Sequence, residues 1–251
     1  MPSATVPHIF DQSTRLLRYR RAKALRQRGG SANWLDGDMI EDFLDRIDFM
    51  NLSAGSARTL GHVSASLNTE LSKRGFDVVS TDLGAFDEEQ IWPIQPADYI
   101  FAMRTLSTLN DVPGALLHIR HALSEGGIMF AQILGAGSLP TLREIMLAAD
   151  GDRPAARIHP QIDNQAASAL LARAGFSKQV VDSRTLTVRF SSFERMVADL
   201  REQALTGILA DRPPPLSRRG LERAREAFET RRDADGKVAE RFEILALTGW
   251  R

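Results

Sequence analysis

Along this chain, apolar residues fall alternately into short unbroken runs and into stripes with a spacing of three to four. The runs at 47–52, 76–81, 98–103 and 128–134 predict buried strands, and the alternation of Leu186, Val188 and Phe190 predicts a strand covered on one face. Between the first two runs, Leu60, Val63, Leu67 and Leu71 mark a helix over 58–74 that ends at Gly75. Asn110-Asp111-Val112-Pro113 is a helix start, with a capping acid and a proline in the first turn. Its stripe of Val112, Leu116, Ile119 and Leu123 stops at Gly126-Gly127. Further helices are expected over 38–45, 139–149, 163–175, 193–204 and 217–232, with a last strand over 241–250. Regular strand–helix alternation predicts an α/β fold, a doubly wound and mostly parallel sheet with helices inserted before the last strand.

The run 47–52 leads into small residues, Ser53-Ala54-Gly55-Ser56-Ala57, and then into the helical stripe. That order reads as a first strand, a tight turn and a helix N-terminus. A helix start presents unpaired N–H groups and a positive dipole end to a polar or anionic ligand. Glycine favours such turns because it adopts positive φ and has no Cβ to obstruct the ligand. Of a G-x-G-x-G pattern only Gly55 remains, flanked by Ser53 and Ala57. The turn is therefore altered or abandoned.

Charge changes the picture at one place. Residues 9–28 carry Arg15, Arg18, Arg20, Arg21, Lys23, Arg26 and Arg28 against Asp11 alone. Two readings stand: an arm that clamps an acidic ligand, a partner or nucleic acid, or a solvated helix packed by Leu16, Leu17 and Leu25 with its arginines outward. The expected organisation is a basic helical arm over 1–36 and a domain over 37–251, with 190–232 as a helical lid. The whole chain of 251 residues has zero formal net charge, so no global field argues for nucleic acid, and no nucleic-acid partner is expected. Absence of cysteine removes disulfides, thiolate metal sites and cysteine nucleophiles. No apolar run approaches the roughly 20 residues of a membrane span, and a cytoplasmic location is the expectation. His118 and His121 lack a third ligand at defined spacing. Arg104, Arg143 and His159 read equally as cleft or surface residues.

Leu109-Asn110-Asp111-Val112-Pro113-Gly114-Ala115-Leu116 through Gly126-Gly127 resembles the "NDLPxAL…GG" stretch of type 11, class I S-adenosylmethionine-dependent methyltransferases. Arg15 to Ala22 after Ile9-Phe10-Asp11, Arg173-Ala174-Gly175-Phe176, and Phe242-Glu243-Ile244 through Gly249-Trp250 resemble one branch of that family. The branch includes the mitochondrial complex I assembly factor of methyltransferase fold and its alphaproteobacterial relatives. The resemblance runs over nearly the whole chain and implies a Rossmann-like sheet with S-adenosylmethionine as cofactor.

In that family the glycine turn cradles the cofactor's methionine part, which would place Asn51, Ser53 and Gly55 there. An acid after the second strand binds the ribose, a role that falls to Asp82 unless that strand has been lost. Asp87-Glu88-Glu89-Gln90-Ile91-Trp92-Pro93-Ile94 matches the adenine-side motif and assigns Asp87 to the adenine. Leu106-Ser107-Thr108 stands where the family has an aromatic wall and a histidine, so Leu106 would line the site's mouth. The resemblance thus implies a methyltransferase-like protein with a weakened cofactor site, acting on a small molecule or a protein side chain. Its alternative is an inactive pseudo-methyltransferase serving as a binding or assembly partner.

Overall fold

The computed structural model describes residues 7–62, 65–93 and 95–251. Two helices, α1 (Gln12–Gln27) and α2 (Trp34–Phe49), come first. The chain then runs β1 (Ser56–Gly61), α3 (Ala65–Lys73), β2 (Asp77–Asp82), β3 (Ala97–Met103), α4 (Val112–Ala122) and β4 (Leu123–Leu134). After these come α5 (Pro140–Asp150), α6 (Asn164–Arg173), β5 (Gln179–Phe190), α7 (Phe193–Glu202), α8 (Arg218–Glu229) and β6 (Val238–Trp250). All six strands form one sheet, ordered β2-β1-β3-β4-β6-β5. β1 pairs in parallel with β2 and β3, and β3 with β4, while β6 runs antiparallel to β4 and β5.

Alternation along each strand sends side chains to two cores. On β3, Phe101 points to the face covered by α2, α3, α5, α7 and α8, where it stacks on Phe130 at 5.2 Å and meets the Phe43 edge at 5.5 Å. Its neighbour Ile100 points to the opposite face, beneath Leu116 and Ile119 of α4 and Leu171 of α6. Parallel register then sets Gly61 beside both Asp82 and Met103. Three strands therefore end at one edge, where ligands bind in open α/β sheets.

The run 47–52 is not a strand. Ile47 closes the buried stripe of α2, made by Leu35, Met39, Ile40, Phe43 and Ile47, so the helix expected over 38–45 is only the middle of a longer one. Asn51 follows at φ 49, with its N–H on the Asp48 carbonyl and the Leu52 N–H on the Ile47 carbonyl. That is a helix C-terminal turn, and asparagine is among the few residues that tolerate its left-handed conformation. The first strand is β1, inside the stretch expected to be helical. Ala57, Thr59 and Leu60 are its buried residues, too weakly apolar to mark a strand. Only 65–73 forms the helix, with Leu67 and Leu71 inward as expected; Val63 of that stripe lies outside the described residues. Later elements match the expected positions, except that α4 ends at Ala122 and Leu123 already belongs to β4, β5 begins at Gln179 and β6 begins at Val238. Asp111 caps α4 as predicted, and Asp163 caps α6, accepting from the Ala166 N–H at 2.7 Å.

Candidate functional site

β1 ends at Gly61, with φ 88. A Cβ there would approach the Met103 carbonyl to 2.5 Å, so glycine lets the ends of β1 and β3 stay together. The next residue, His62, donates its N–H to that carbonyl at 2.9 Å. Past the end of β3, Arg104 has φ 55 and is buried. Its guanidinium donates to the Gln203 carbonyl at 2.8 Å and to His62 Nδ1 at 2.7 Å, and lies 3.1 Å from Asp36 of α2. Asp36 is also paired with Arg26 of α1 at 2.6 Å. Burial pushes the His62 pKa well below 6.5, and Arg104, Arg15 and Arg26 push the same way. The ring is therefore neutral, accepting at Nδ1 with its hydrogen on Nε2. Burial also works against the Arg104 charge, which Asp36 favours.

Helix α1 lies over this edge, capped by Asp11, which accepts from the Thr14 N–H at 2.7 Å. Arg15, Tyr19 and Lys23 recur every fourth residue and so share one face. Tyr19 is 2% exposed, its ring edge-on to His62 at 4.8 Å and its hydroxyl donating to Asp82 at the end of β2. Lys23 Nζ reaches the other Asp82 oxygen at 2.5 Å. Burial pushes the Asp82 pKa up, but Lys23 and Tyr19 hold it below the usual carboxylate value. Burial and Asp82 push the Tyr19 hydroxyl up. Arg15 is buried, forked onto Glu88 at 2.7 and 3.1 Å and donating to Thr105 Oγ1 at 2.7 Å and Thr108 Oγ1 at 2.8 Å. The expected inner edge of Leu16, Leu17 and Leu25 is thus corrected: Leu17 is 63% exposed, and the helix faces inward through Thr14, Arg15, Tyr19 and Ala22. A charged residue can point inward here because Glu88 and the two threonines satisfy its donors.

The residues expected to bind cofactor are not brought together. Asn51, Ser53 and Gly55 precede β1, at the end of the sheet opposite Gly61 and Asp82. There the Ser53 carbonyl accepts from the Tyr99 hydroxyl at 3.0 Å, and Ser56 donates its N–H and Oγ to Asp98 at 2.9 and 2.8 Å. A Cβ at Gly55 would lie 2.8 Å from Asp98 Oδ2, so this glycine serves strand packing. Asp82 does stand at the carboxyl edge. Asp87 is in the loop after β2, accepting from the Glu89 N–H at 3.0 Å and lining a cavity of about 350 Å³ with Gln12, Arg15, Phe86 and Glu88. The motif's Ile94 lies outside the described residues. Leu106 is buried in a 3-10 turn after β3, within the core under α4. Sequence reasoning missed Tyr19, Asp36 and His62. Their signals were the fourfold spacing on α1, the helical period of α2, and Gly61 directly after an apolar Leu60.

No family model matches the chain. Among curated proteins it is 28% identical over 154 residues to a malonyl-[acyl-carrier protein] O-methyltransferase of Xylella fastidiosa, a match covering 61% of this chain and 51% of that one. It is 26% identical over 219 residues to the mitochondrial arginine-hydroxylase NDUFAF5 of Danio rerio, covering 80% and 68%. The match thus spans about half the length of the first relative. Among solved structures, a Burkholderia thailandensis 1,6-didemethyltoxoflavin-N1-methyltransferase with bound S-adenosylhomocysteine aligns with a TM-score of 0.52 at 13% identity, covering 100% of this chain and 92% of the other. The chain has the fold of class I methyltransferases, with sequence relatives among O-methyltransferases and arginine-hydroxylases.

Proposed function

We propose that this is an S-adenosylmethionine-dependent methyltransferase-like protein whose cofactor site is weakened because α1 occupies it. One observation carries the reading. Asp82, the only acid at the end of β2, holds Tyr19 and Lys23 where the family binds ribose hydroxyls. The Tyr19 ring covers His62 beside it. As they stand, these residues do not fit the cofactor. A ligand would have to exchange a charge-assisted pair and a buried aromatic contact for its own contacts. Relatives acting on a carrier-bound acid and on arginine make a small acid or a protein side chain the proposed substrate class.

Calorimetric titration of the full chain with S-adenosylmethionine and S-adenosylhomocysteine tests this. Wild type is expected to bind at hundreds of micromolar or weaker, about 5 kcal/mol. The Tyr19→Ala, Lys23→Ala double variant is expected to bind at least about tenfold tighter, a gain of about 1.4 kcal/mol. Low-micromolar binding by wild type, unchanged in the variant, overturns the reading.

The second reading, an inactive binding or assembly partner, is favoured by the network behind Tyr19 and Lys23. Arg104 is held left-handed and joined to Asp36, His62 and Gln203, an arrangement that a cofactor beside His62 would disturb. In that reading the outward residues Leu17, Arg20, Arg21 and Arg28 of α1 and its flank meet an acidic protein partner. Among the described residues no helix is long and apolar enough to cross a membrane. We place the protein in the cytoplasm. No binding of either cofactor form by wild type or the double variant selects this second reading.

A further inference from the structure

Neighbouring residues of α1 face different places. Tyr19 turns to Asp82, whereas Arg18 lines a separate cavity of about 220 Å³ beyond the end of β4. Its walls are mostly hydrocarbon, from Leu139, Leu142, Ile158, Ile208 and Leu209, and no carboxylate is among the lining residues. Three arginines line it as well. Arg157 is matched by Asp150 at 2.6 Å. Arg212 is 3.9 Å from Asp11 and donates to Thr14 Oγ1 at 2.5 Å, a looser match. Arg18 has no carboxylate partner among the described residues; its Nε meets the Gly207 carbonyl at 3.4 Å. The cavity therefore carries an excess of positive charge beside aliphatic walls, with the Arg212 side chain 63% exposed, and a cleft lined by one sign of charge attracts an anion.

Two further features belong to the same place. A larger cavity of about 520 Å³ adjoins it through Ile158, His159 and Leu209, adding Arg143 and Asp211. Gln161 is among the residues lining that second cavity, and its carboxamide oxygen and nitrogen, both buried, have no hydrogen-bond partner among the described residues. Buried polar atoms without partners are uncommon, and ligand sites are one place where they occur. Leu139, a lining residue, has φ 63, and Ala204, just before lining residue Leu205, has φ 57; both carry a Cβ in a region that favours glycine. Such conformations cluster at ligand clamps.

We propose that this cavity binds a small carboxylate with an apolar body, its head on Arg18 and Arg212 and its hydrocarbon against Leu139, Ile158 and Leu209. A single uncompensated guanidinium with one loosely matched neighbour suits a monoanion. The predominance of aliphatic walls requires an apolar tail. The site does not depend on whether the Asp82 edge admits a cofactor. Titration of the full chain with hexanoate and with its uncharged amide, hexanamide, reads it directly. Hexanoate is expected to bind at least about tenfold tighter than hexanamide. Arg18→Met should reduce hexanoate to the level of the amide, and Ile158→Trp, which fills the cavity, should weaken both ligands. Each variant is checked by its thermal melt for an intact fold. Equal affinity for the two ligands, no binding of either at about 10 mM, or hexanoate binding untouched by both variants overturns the proposal. Displacement of hexanoate by equimolar inorganic phosphate overturns the requirement for an apolar tail.

Discussion

The carboxyl edge of this sheet is two different places. Over β1, β2 and β3 it is closed: Asp82 is held by Tyr19 and Lys23 of α1, and Arg104 by Asp36 of α2, His62 and the Gln203 carbonyl. Beyond β4 it is open, with two adjoining cavities and an arginine that has no carboxylate partner among the described residues. Side-chain chemistry is similar in both, arginine and histidine beside apolar walls. Charge pairing is what differs. A guanidinium held by a carboxylate of the same chain resists exchange, whereas one lacking a carboxylate can gain it from a ligand.

This contrast can be broken most forcefully at Arg104. Arg104→Met removes one member of a buried network and leaves Asp36 and the Gln203 carbonyl short of a donor. Unfolding free energy in urea should fall by about 3–5 kcal/mol. Tyr19→Phe deletes only the hydroxyl that Asp82 accepts, and about 1.5–3 kcal/mol is expected on the same measurement. A smaller effect comes from pH. His62 has a folded pKa below its ordinary 6.5, so below that value the unfolded chain takes up a proton that the folded chain refuses. Stability should therefore be full above pH 6.5 and fall as pH drops, by about 1.4 kcal/mol per pH unit for this group. His159 is shifted downward by burial and adds in the same direction. His62→Gln should flatten most of the slope; an unchanged slope would show the ring to be solvated. Lys23→Ala tests a pair with both side chains nearly half exposed, and should cost less than about 1 kcal/mol. At the open end, Arg18→Met should change stability by no more than about 0.5 kcal/mol. A loss matching that at Arg104 would erase the distinction between the two regions.

By itself, the sequence determined the fold class and most elements. Period and capping are local: Asp111 and Pro113 start α4, Asp163 starts α6, and alternation from Leu186 to Phe190 marks a strand whichever partner it finds. The order of strands and helices then limited the topology to a doubly wound sheet. Asp82 could be placed at a strand end for the same reason. Tertiary structure decided where the first strand begins. The run Ile47 to Leu52 reads as a strand in isolation, but Ile47 belongs to the buried stripe of Leu35, Met39 and Phe43, and α2 lays that stripe on the sheet with Phe43 against Phe101. β1 buries Thr59 because Asn68 Oδ1 accepts its hydroxyl at 2.8 Å, a pairing no local pattern announces. Because the strand moved, the supposed ligand turn at Ser53 and Gly55 fell at the wrong end of the sheet. Closure of the site was equally beyond the sequence. Whether Arg15, Tyr19 and Lys23 face solvent or Glu88 and Asp82 depends on groups more than fifty residues away, and burial of charge is decided by partners that only the folded chain brings within hydrogen-bonding distance.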